Sequence, residues 1–403
     1  MLHYLRRRLK ESFYAAENRP VRWAIDRVLR SSAANRTAMI DYRRTHEAIR
    51  EPLQEELAKV LSFSSEFEIE LYVRRFEADF ARLCNRRYGV GTHSGTAALQ
   101  LALAALGIGA GDEVITVPYT YIATALAISN TGATPVFVDV EHETFNIDPA
   151  RISAAITPRT KAIVPVHLYG QMANMPAILE VAAAHGLRVV EDACQAFGAE
   201  LHGVSAGAAG DVGCFSFSSP KNLSGFGNGG AVVSNDRALI EKIRSLRNPE
   251  SNSPILHDSR RTPCYLDALQ VAFIRTKLPF IQTWTEQRRA RAAEYRRALA
   301  PVDCELPVEI EGARHSYYRF ALRMGRRDEV RRWMSRHGVR TLPGYSPCLH
   351  LTDVYARLGC GRGAFPRAEA AERDTLLLPL TPFLTDEEME RICAALRGFG
   401  SVS

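Results

Sequence analysis

The sequence predicts an α/β protein with a large, mostly parallel sheet domain covered by helices and a smaller α/β domain at the C-terminus. From about residue 88, short β-branched runs alternate with helical stretches. The runs lack alternating polar residues, which is typical of strands buried on both faces. Six runs have this pattern, at residues 113–118, 134–140, 161–167, 187–192, 211–217 and 230–234.

Helical patterns separate and follow these predicted strands. Alanine-rich stretches occur at 96–106 and 173–186, and longer helical patterns at 266–278 and 285–299. Helical patterns also fill the first 70 residues, and a short α/β segment closes the chain. We therefore predict three parts: a helical N-terminal extension (1–70), a large domain (71–285) and a small C-terminal domain (286–403).

The composition indicates a soluble globular protein. The 403 residues are 46% hydrophobic and 24% charged, which is ordinary for that class. No apolar run approaches the roughly 20 residues needed to cross a bilayer, and no apolar stretch typical of a secretory signal follows the charged start. The eight cysteines form no CxxC pair, so we expect neither a metal site nor a disulfide framework, and we predict a cytoplasmic location.

Positive charge is concentrated at the N-terminus. Residues 1–50 carry twelve Lys or Arg and five Asp or Glu, a net charge of +7, whereas the rest of the chain is nearly neutral. A basic arm of this kind can bind nucleic acid or an acidic membrane surface. The basic residues alternate with apolar ones such as Trp23 and Leu29, however, which favours the solvated face of packed helices. We expect no nucleic-acid or membrane partner.

One lysine lies in an unusual setting, within FSFSSPKNLSGFGNGG (215–230). Lys221 belongs to a loop of Ser, Gly and Asn, and lysine, unlike arginine, can lose its proton and attack a carbonyl. Ser216 alternates with two phenylalanines and therefore faces the opposite side of its strand. The sequence lacks GxxxxGK[ST], so this lysine is not that of a P-loop.

Three other segments carry residues suited to a flat phosphorylated ligand. Ser94-Gly95-Thr96 precedes an apolar helix and is either a phosphate cup or a plain helix cap. Asp192 ends a buried strand and is either a partner for a protonated ring nitrogen or a loop cap. Tyr119 or Tyr121 is either a stacking ring or ordinary packing. With the lysine, these are the parts that position pyridoxal phosphate.

These segments, in this order, resemble the DegT/DnrJ/EryC1/StrS family of sugar aminotransferases, a branch of the fold type I pyridoxal-phosphate enzymes. The resemblance covers roughly residues 75–400. It implies a fold type I aminotransferase that moves an amino group from L-glutamate or a similar donor to a keto-sugar or keto-cyclitol. It also implies a homodimer with active sites at the subunit interface. The matching segments are 94–99, 118–128, 167–171, 191–199, 210–223, 227–236, 266–272 and 365–388.

The resemblance assigns a role to each matching residue. Lys221 corresponds to the lysine that binds the cofactor as a Schiff base and then carries a proton. Asp192 corresponds to the carboxylate that keeps the pyridine nitrogen protonated, and both residues are therefore predicted to be catalytic. His167 lies near the ring in the family, with a structural role equally open. The other predicted cofactor-binding residues are Tyr121, stacked on the ring, Gln195, beside the phenolic oxygen, and Gly95, Thr96 and Ser216, at the phosphate.

The sequence departs from the family between residues 260 and 265. Pro263 and Tyr265 stand where the family carries an Asn for the neighbouring subunit's phosphate and an Arg for the donor carboxylate. Proline offers no hydrogen-bond donor, and Arg260 or Arg261 is a candidate to replace that pair. The departure leaves open an alternative function, that of a pyridoxal-phosphate enzyme that catalyses an elimination or a cyclisation instead of a transamination. A non-catalytic partner-binding protein would instead have lost its cofactor residues, which are all present.

Overall fold

The computed structural model describes residues 37–248 and 263–400. Most of the predicted basic arm, and both Arg260 and Arg261, lie outside the described residues. The helices are α1 (Tyr42–Ala48), α2 (Arg50–Leu61), α3 (Glu66–Leu83), α4 (Gly95–Ala105), α5 (Ala123–Ser129), α6 (Pro149–Ile152), α7 (Met175–His185), α8 (Arg237–Arg247), α9 (Ala268–Lys277), α10 (Ile281–Leu299), α11 (Arg327–Arg336), α12 (Asp353–Ala356), α13 (Pro366–Asp374) and α14 (Asp386–Gly400). The strands are β1 (Tyr88–Thr92), β2 (Glu113–Thr116), β3 (Thr134–Phe137), β4 (Thr160–Ile163), β5 (Arg188–Asp192), β6 (Glu200–Leu201), β7 (Val204–Ser205), β8 (Val212–Ser216), β9 (Gly230–Ser234), β10 (Ala313–Arg314), β11 (Phe320–Arg323), β12 (Leu342–Pro343) and β13 (Thr375–Leu378).

The large sheet has seven strands in the order β1-β9-β8-β5-β4-β2-β3. Strands β8, β5, β4, β2 and β3 pair in parallel, and β9 runs antiparallel to both β1 and β8. The prediction of a large, mostly parallel sheet is therefore confirmed, and all six predicted strands belong to it. Strand β1 was not among them.

Helices cover both faces of this sheet. On one face, Leu99 and Leu103 of α4 and Ile243 of α8 are buried against the apolar side chains of the strands. On the other face, Phe76 and Phe80 of α3 belong to a second buried cluster. Burying such a side chain contributes roughly 1.5–3 kcal/mol, so the two clusters fix the sheet between its helical layers. No helix in the described part of the chain is long and apolar enough to cross a bilayer.

A second, three-stranded antiparallel sheet, β11-β13-β12, forms the predicted smaller α/β unit. Its core includes Phe320, Leu376 and Leu378, together with Tyr295 of α10. Helix α10 begins at the large core, where Ile281 packs, and continues into the small one. The predicted boundary between residues 285 and 286 lies within this helix, and the exact domain limits stay a prediction.

A buried histidine, His315, lies in the segment between β10 and β11. His315 Nδ1 accepts a hydrogen bond from the Tyr317 backbone N–H at 2.8 Å, and its ring stacks on that of Tyr317 at 4.1 Å between centroids. Burial, assisted by the nearby Arg289 and Arg296 cations, lowers the pKa of His315 to about 3. The folded protein therefore holds this ring neutral in mildly acidic solution.

We expect the free energy of unfolding to fall as the pH drops below about 6.5, the ordinary histidine value. In that range His315 is protonated in the unfolded chain but stays neutral in the folded chain. The free energy of unfolding therefore falls by about 1.4 kcal/mol per pH unit, or roughly 2 kcal/mol by pH 5. Denaturant unfolding at several pH values would measure this. His315→Asn should flatten the dependence, whereas the exposed His185→Asn should not. Equal slopes for His315→Asn and the wild type would contradict the assignment.

Candidate active site

The predicted site residues come together at the carboxyl edge of the large sheet. Strands β5 and β8 end there at Asp192 and Ser216, and α4 begins beside them. This is the edge at which parallel α/β sheets bind ligands. A cavity of about 520 Å³ lies at this edge. It is lined by all seven predicted residues: Gly95, Thr96, Tyr121, Asp192, Gln195, Ser216 and Lys221.

One end of the cavity is the start of α4. Ser94 caps the helix, its Oγ accepting the Ala97 N–H at 3.2 Å. The N–H groups of Gly95 and Thr96, in the first turn, have no carbonyl partner within the helix. Together with the helix dipole, they favour an anion at this position. Ser216 adds a hydroxyl group at the same end of the cavity.

Gly95 allows this helix to approach the ends of the strands closely. A Cβ atom here would lie 2.7 Å from Cys194 Sγ and 2.8 Å from Ser216 Cβ, both well inside van der Waals contact. Gly95→Ala should therefore displace the helix start and weaken cofactor binding about tenfold, as overpacking typically costs 1–3 kcal/mol. Equilibrium dialysis with pyridoxal phosphate would measure the loss. Gly325→Ala is the matched control, because its Cβ would meet no atom within 4 Å; equal affinities for both variants would contradict the prediction.

Asp192 is a buried carboxylate without a cationic partner among the described residues. Its Oδ2 accepts a hydrogen bond from Thr124 Oγ1 at 2.7 Å, and its Oδ1 accepts one from the Cys194 N–H at 3.2 Å. The residue is only 5% exposed. Both donors are neutral, so they orient the carboxylate but do not balance its charge. A buried charge of this kind is costly unless a ligand brings the opposite one.

The neighbouring Glu191 points away from the cavity and has a structural partner. His167 Nε2 lies 2.8 Å from Glu191 Oε2, and His167 Nδ1 accepts the Ala173 N–H at 3.1 Å. Burial alone would raise the pKa of Glu191, but the hydrogen bonds from His167 and from the backbone of the 207–210 loop hold it below its ordinary value. Both ring nitrogens of His167 are engaged and the residue does not line the cavity, which favours its structural role.

A group of tyrosines supports the other side of the cavity. Gln195 Oε1 accepts the Tyr169 N–H at 3.1 Å, and its Nε2 donates to Tyr345 Oη at 2.9 Å. Tyr119 is buried, with its hydroxyl oxygen 2.8 Å from that of Tyr169, and is therefore part of the packing. Tyr121 lines the cavity yet is 59% exposed. Its ring is therefore available to a flat ligand.

Lys221 is held by a closed loop between β8 and β9. Backbone hydrogen bonds join Lys221 N to Ser218 O at 2.9 Å and Ser219 N to Gly227 O at 2.9 Å. Asn222 Nδ2 donates to Ser316 O at 3.0 Å, which ties the loop to the segment leading into β11. These contacts fix the backbone that carries the lysine side chain relative to the sheet edge, and a defined position is what a reacting group requires.

Tyr318 is a cavity residue that the sequence did not reveal. Lys221 Nζ lies 4.8 Å from the centroid of its ring. Burial alone would raise the pKa of Tyr318, but the Lys221 and Arg319 cations outweigh it and hold the pKa below its ordinary value. Thr124, which donates to Asp192, was also missed. It follows the Pro-Tyr-Thr-Tyr turn at the end of β2, and its position at the carboxyl edge is the only local signal for it.

The cavity fits pyridoxal phosphate on three independent features. The start of α4, where a Cβ on Gly95 would clash, suits the phosphate. The Asp192 carboxylate, which has no salt-bridge partner among the described residues, suits a protonated ring nitrogen. Lys221 supplies an amine. By contrast, the described chain contains no group of three or more His, Cys, Asp or Glu side chains placed to hold a metal ion.

The comparisons with known proteins agree with this chemistry. The DegT/DnrJ/EryC1/StrS aminotransferase family matches residues 47–397. A pleiotropic regulatory protein of Geobacillus stearothermophilus is 40% identical over 364 residues, covering 90% of this chain and 98% of its own. The dTDP-3-amino-3,4,6-trideoxy-alpha-D-glucose transaminase of Streptomyces venezuelae is 42% identical, covering 90% and 96%. A crystal structure of S. venezuelae DesV is similar with a TM-score of 0.86 and 41% identity, covering 91% of this chain and 99% of that chain.

Proposed function

This chain belongs to the DegT/DnrJ/EryC1/StrS aminotransferase family, and we propose that it is a pyridoxal-phosphate-dependent sugar aminotransferase that transfers the amino group of L-glutamate to a nucleotide-linked 3-keto-sugar. The observation that carries the proposal is the cavity itself, in which an anion-binding helix start, an unbalanced carboxylate and a lysine amine converge. The Streptomyces relative, 42% identical, is named for a dTDP-linked 3-amino sugar, which supports the choice of acceptor and of carbon 3.

Each residue then has a defined task. Pyridoxal phosphate supplies an electron-withdrawing ring that stabilises negative charge on the carbon bearing the transferred amino group. The N–H groups of Gly95 and Thr96 and the Ser216 hydroxyl would bind its phosphate, and Asp192 would hold the ring N–H by a charge-assisted hydrogen bond.

The remaining three residues act around the ring. Lys221 Nζ would anchor the cofactor and would move a proton as a general base and acid. Tyr121 would cover one face of the ring. Gln195, whose side chain is held by Tyr169 and Tyr345, would face the oxygen-bearing edge of the ring.

We further propose a homodimer that works in the cytoplasm. Tyr121 lines the cavity while more than half exposed, and a second copy placed against it would complete the wall and exclude water. Seven cysteines are free thiols in the structure, namely Cys84, Cys194, Cys214, Cys304, Cys348, Cys360 and Cys393, which suits a reducing compartment.

Spectroscopy on the purified holoenzyme tests the donor half of the reaction. Addition of L-glutamate should convert the visible absorbance of the lysine-bound cofactor to that of its amine form, with one equivalent of 2-oxoglutarate released. A dTDP- or UDP-linked 3-keto-sugar should restore the original spectrum and yield the 3-amino sugar. An unchanged spectrum with cofactor bound would rule out glutamate. Elimination from the sugar without amination would instead support a non-transaminating enzyme, as the Pro263 and Tyr265 replacements allow.

A further inference from the structure

A second, smaller cavity lies directly behind the catalytic lysine. Its volume is about 40 Å³, and Pro220, Lys221 and Tyr318 line both it and the larger cavity. Its other walls come from α9, α10, the start of α1 and residues 380–382. A space of this size holds two or three water molecules or one small ion, since each water requires roughly 10–15 Å³ of such volume.

Four basic side chains line this cavity, which we call the cationic cavity: Lys221, Lys277, Arg288 and Arg319. Lys277, Arg288 and Arg319 are only 2%, 8% and 9% exposed. Within residues 37–248 and 263–400, none of these three forms a salt bridge. Lys277 Nζ donates only to the Ser224 carbonyl and hydroxyl, at 2.8 and 3.1 Å, and Arg319 Nη2 donates to Tyr318 Oη at 3.3 Å.

The single carboxylate in the wall, Asp41, is already engaged. Its Oδ1 accepts the Arg44 backbone N–H at 2.9 Å, which caps α1, and its Oδ2 pairs with Arg44 Nε at 3.1 Å. Arg44 does not line the cavity and is shared with Glu388, whose Oε2 lies 2.7 Å from Arg44 Nη1. The four basic side chains of the wall outnumber its one carboxylate, so the cationic cavity is left with an excess of positive charge.

Arg288 carries the clearest sign of a missing partner. Its buried Nη1 has no hydrogen-bond acceptor in the described structure. Burial, assisted by Arg319, lowers the pKa of Arg288 to about 9, and burial lowers that of Lys277 to about 8. Removing such charges from water costs several kcal/mol each unless an opposite charge is present. An anion in the cavity would supply both the charge and the acceptor.

We infer that the cationic cavity binds one small monovalent anion, of the size of chloride, held by Arg288 Nη1 with Lys277 and Arg319. The volume has no room for a phosphate ester or a dicarboxylate, so this site differs from those of the cofactor and the substrates. The anion would neutralise the cluster and, next to Lys221 and Tyr318, would set part of the electrostatic field in which the catalytic amine works. The inference does not depend on which reaction the enzyme performs.

Thermal unfolding of the holoenzyme in chloride and in gluconate, at constant ionic strength, tests the site. Gluconate is too large to enter, so chloride should raise Tm in a saturable way, as a ligand of the native state does. In gluconate, Arg288→Met should be at least as stable as the wild type, because it removes a buried unpaired charge. In chloride it should lose the saturable rise. Arg297→Met, an exposed change on the same helix, should keep the wild-type response.

Two results would overturn the inference. One is a wild-type Tm that responds equally to chloride and gluconate, and the other is an Arg288→Met variant that retains the chloride-specific rise. Crystals of the wild-type holoenzyme grown in bromide provide a measurement independent of any variant. An anomalous peak between Arg288 and Lys277 would support the site, and its absence at saturating bromide would count against it even if Arg288→Met failed to fold.

Discussion

Replacement of Lys221 by alanine should lower turnover by a factor on the order of 10³, the usual range for the loss of a general acid–base group. The same change should remove the visible absorbance that a lysine-bound pyridoxal phosphate gives. The physical reason is that Lys221 is the lysine that lines the candidate cavity, in a loop closed by backbone hydrogen bonds. Stopped-flow absorbance with L-glutamate, with and without acceptor, would measure both effects.

Two further variants distinguish the proton transfer by Lys221 from the effect of its positive charge. Lys221→Arg keeps a positive charge in the same loop, but arginine does not release its proton in a protein. It should therefore be about as inactive as Lys221→Ala while leaving the charge balance of the cationic cavity intact. Lys242→Ala, an exposed change on α8, should leave turnover unaltered. Wild-type turnover in Lys221→Ala would show that another amine binds the cofactor.

The strands of the large sheet that are runs of β-branched residues could be predicted from the sequence. Strand β1 is not such a run, and it was missed. Two of its five residues, Gly89 and Gly91, are glycines, which weaken any local strand signal. They are needed because a Cβ on Gly89 would lie 2.8 Å from Glu77 O, and one on Gly91 would lie 3.0 Å from Leu266. The cause is therefore tertiary packing of α3 and the 263–267 segment on the strand, which a local pattern does not contain.

The same distinction separates the predicted site residues from the missed ones. Asp192 and Lys221 lie in motifs whose local chemistry is visible, a carboxylate at a strand end and a lysine in a small-residue loop. Thr124 and Tyr318 belong to the site because of contacts with residues distant in sequence. Thr124 contacts Asp192, and Tyr318 contacts Lys221. The cationic cavity went unpredicted for this reason as well, because its basic residues come from four separate segments of the chain.

Asp192→Asn should lower turnover by a factor on the order of 10², since it keeps the shape of the side chain but removes the charge that would hold a protonated ring nitrogen. In cofactor-free protein the same change should leave Tm unchanged or raise it, because the wild-type carboxylate is buried without a salt-bridge partner among the described residues, which is costly. With cofactor bound, the wild type should become the more stable of the two. Comparing Tm with and without pyridoxal phosphate would reveal this reversal.

Thr124→Val provides the matched control for this effect. It removes the 2.7 Å hydrogen bond to Asp192 Oδ2 but keeps the carboxylate, so it should cost about 1 kcal/mol, or a several-fold loss of turnover. A cofactor methylated at the ring nitrogen carries a permanent positive charge and should restore part of the turnover of Asp192→Asn, but none of that of Lys221→Ala. If Asp192→Asn and Thr124→Val lost activity equally, Asp192 would act by orientation alone, and the charge we assign to it would have no catalytic role.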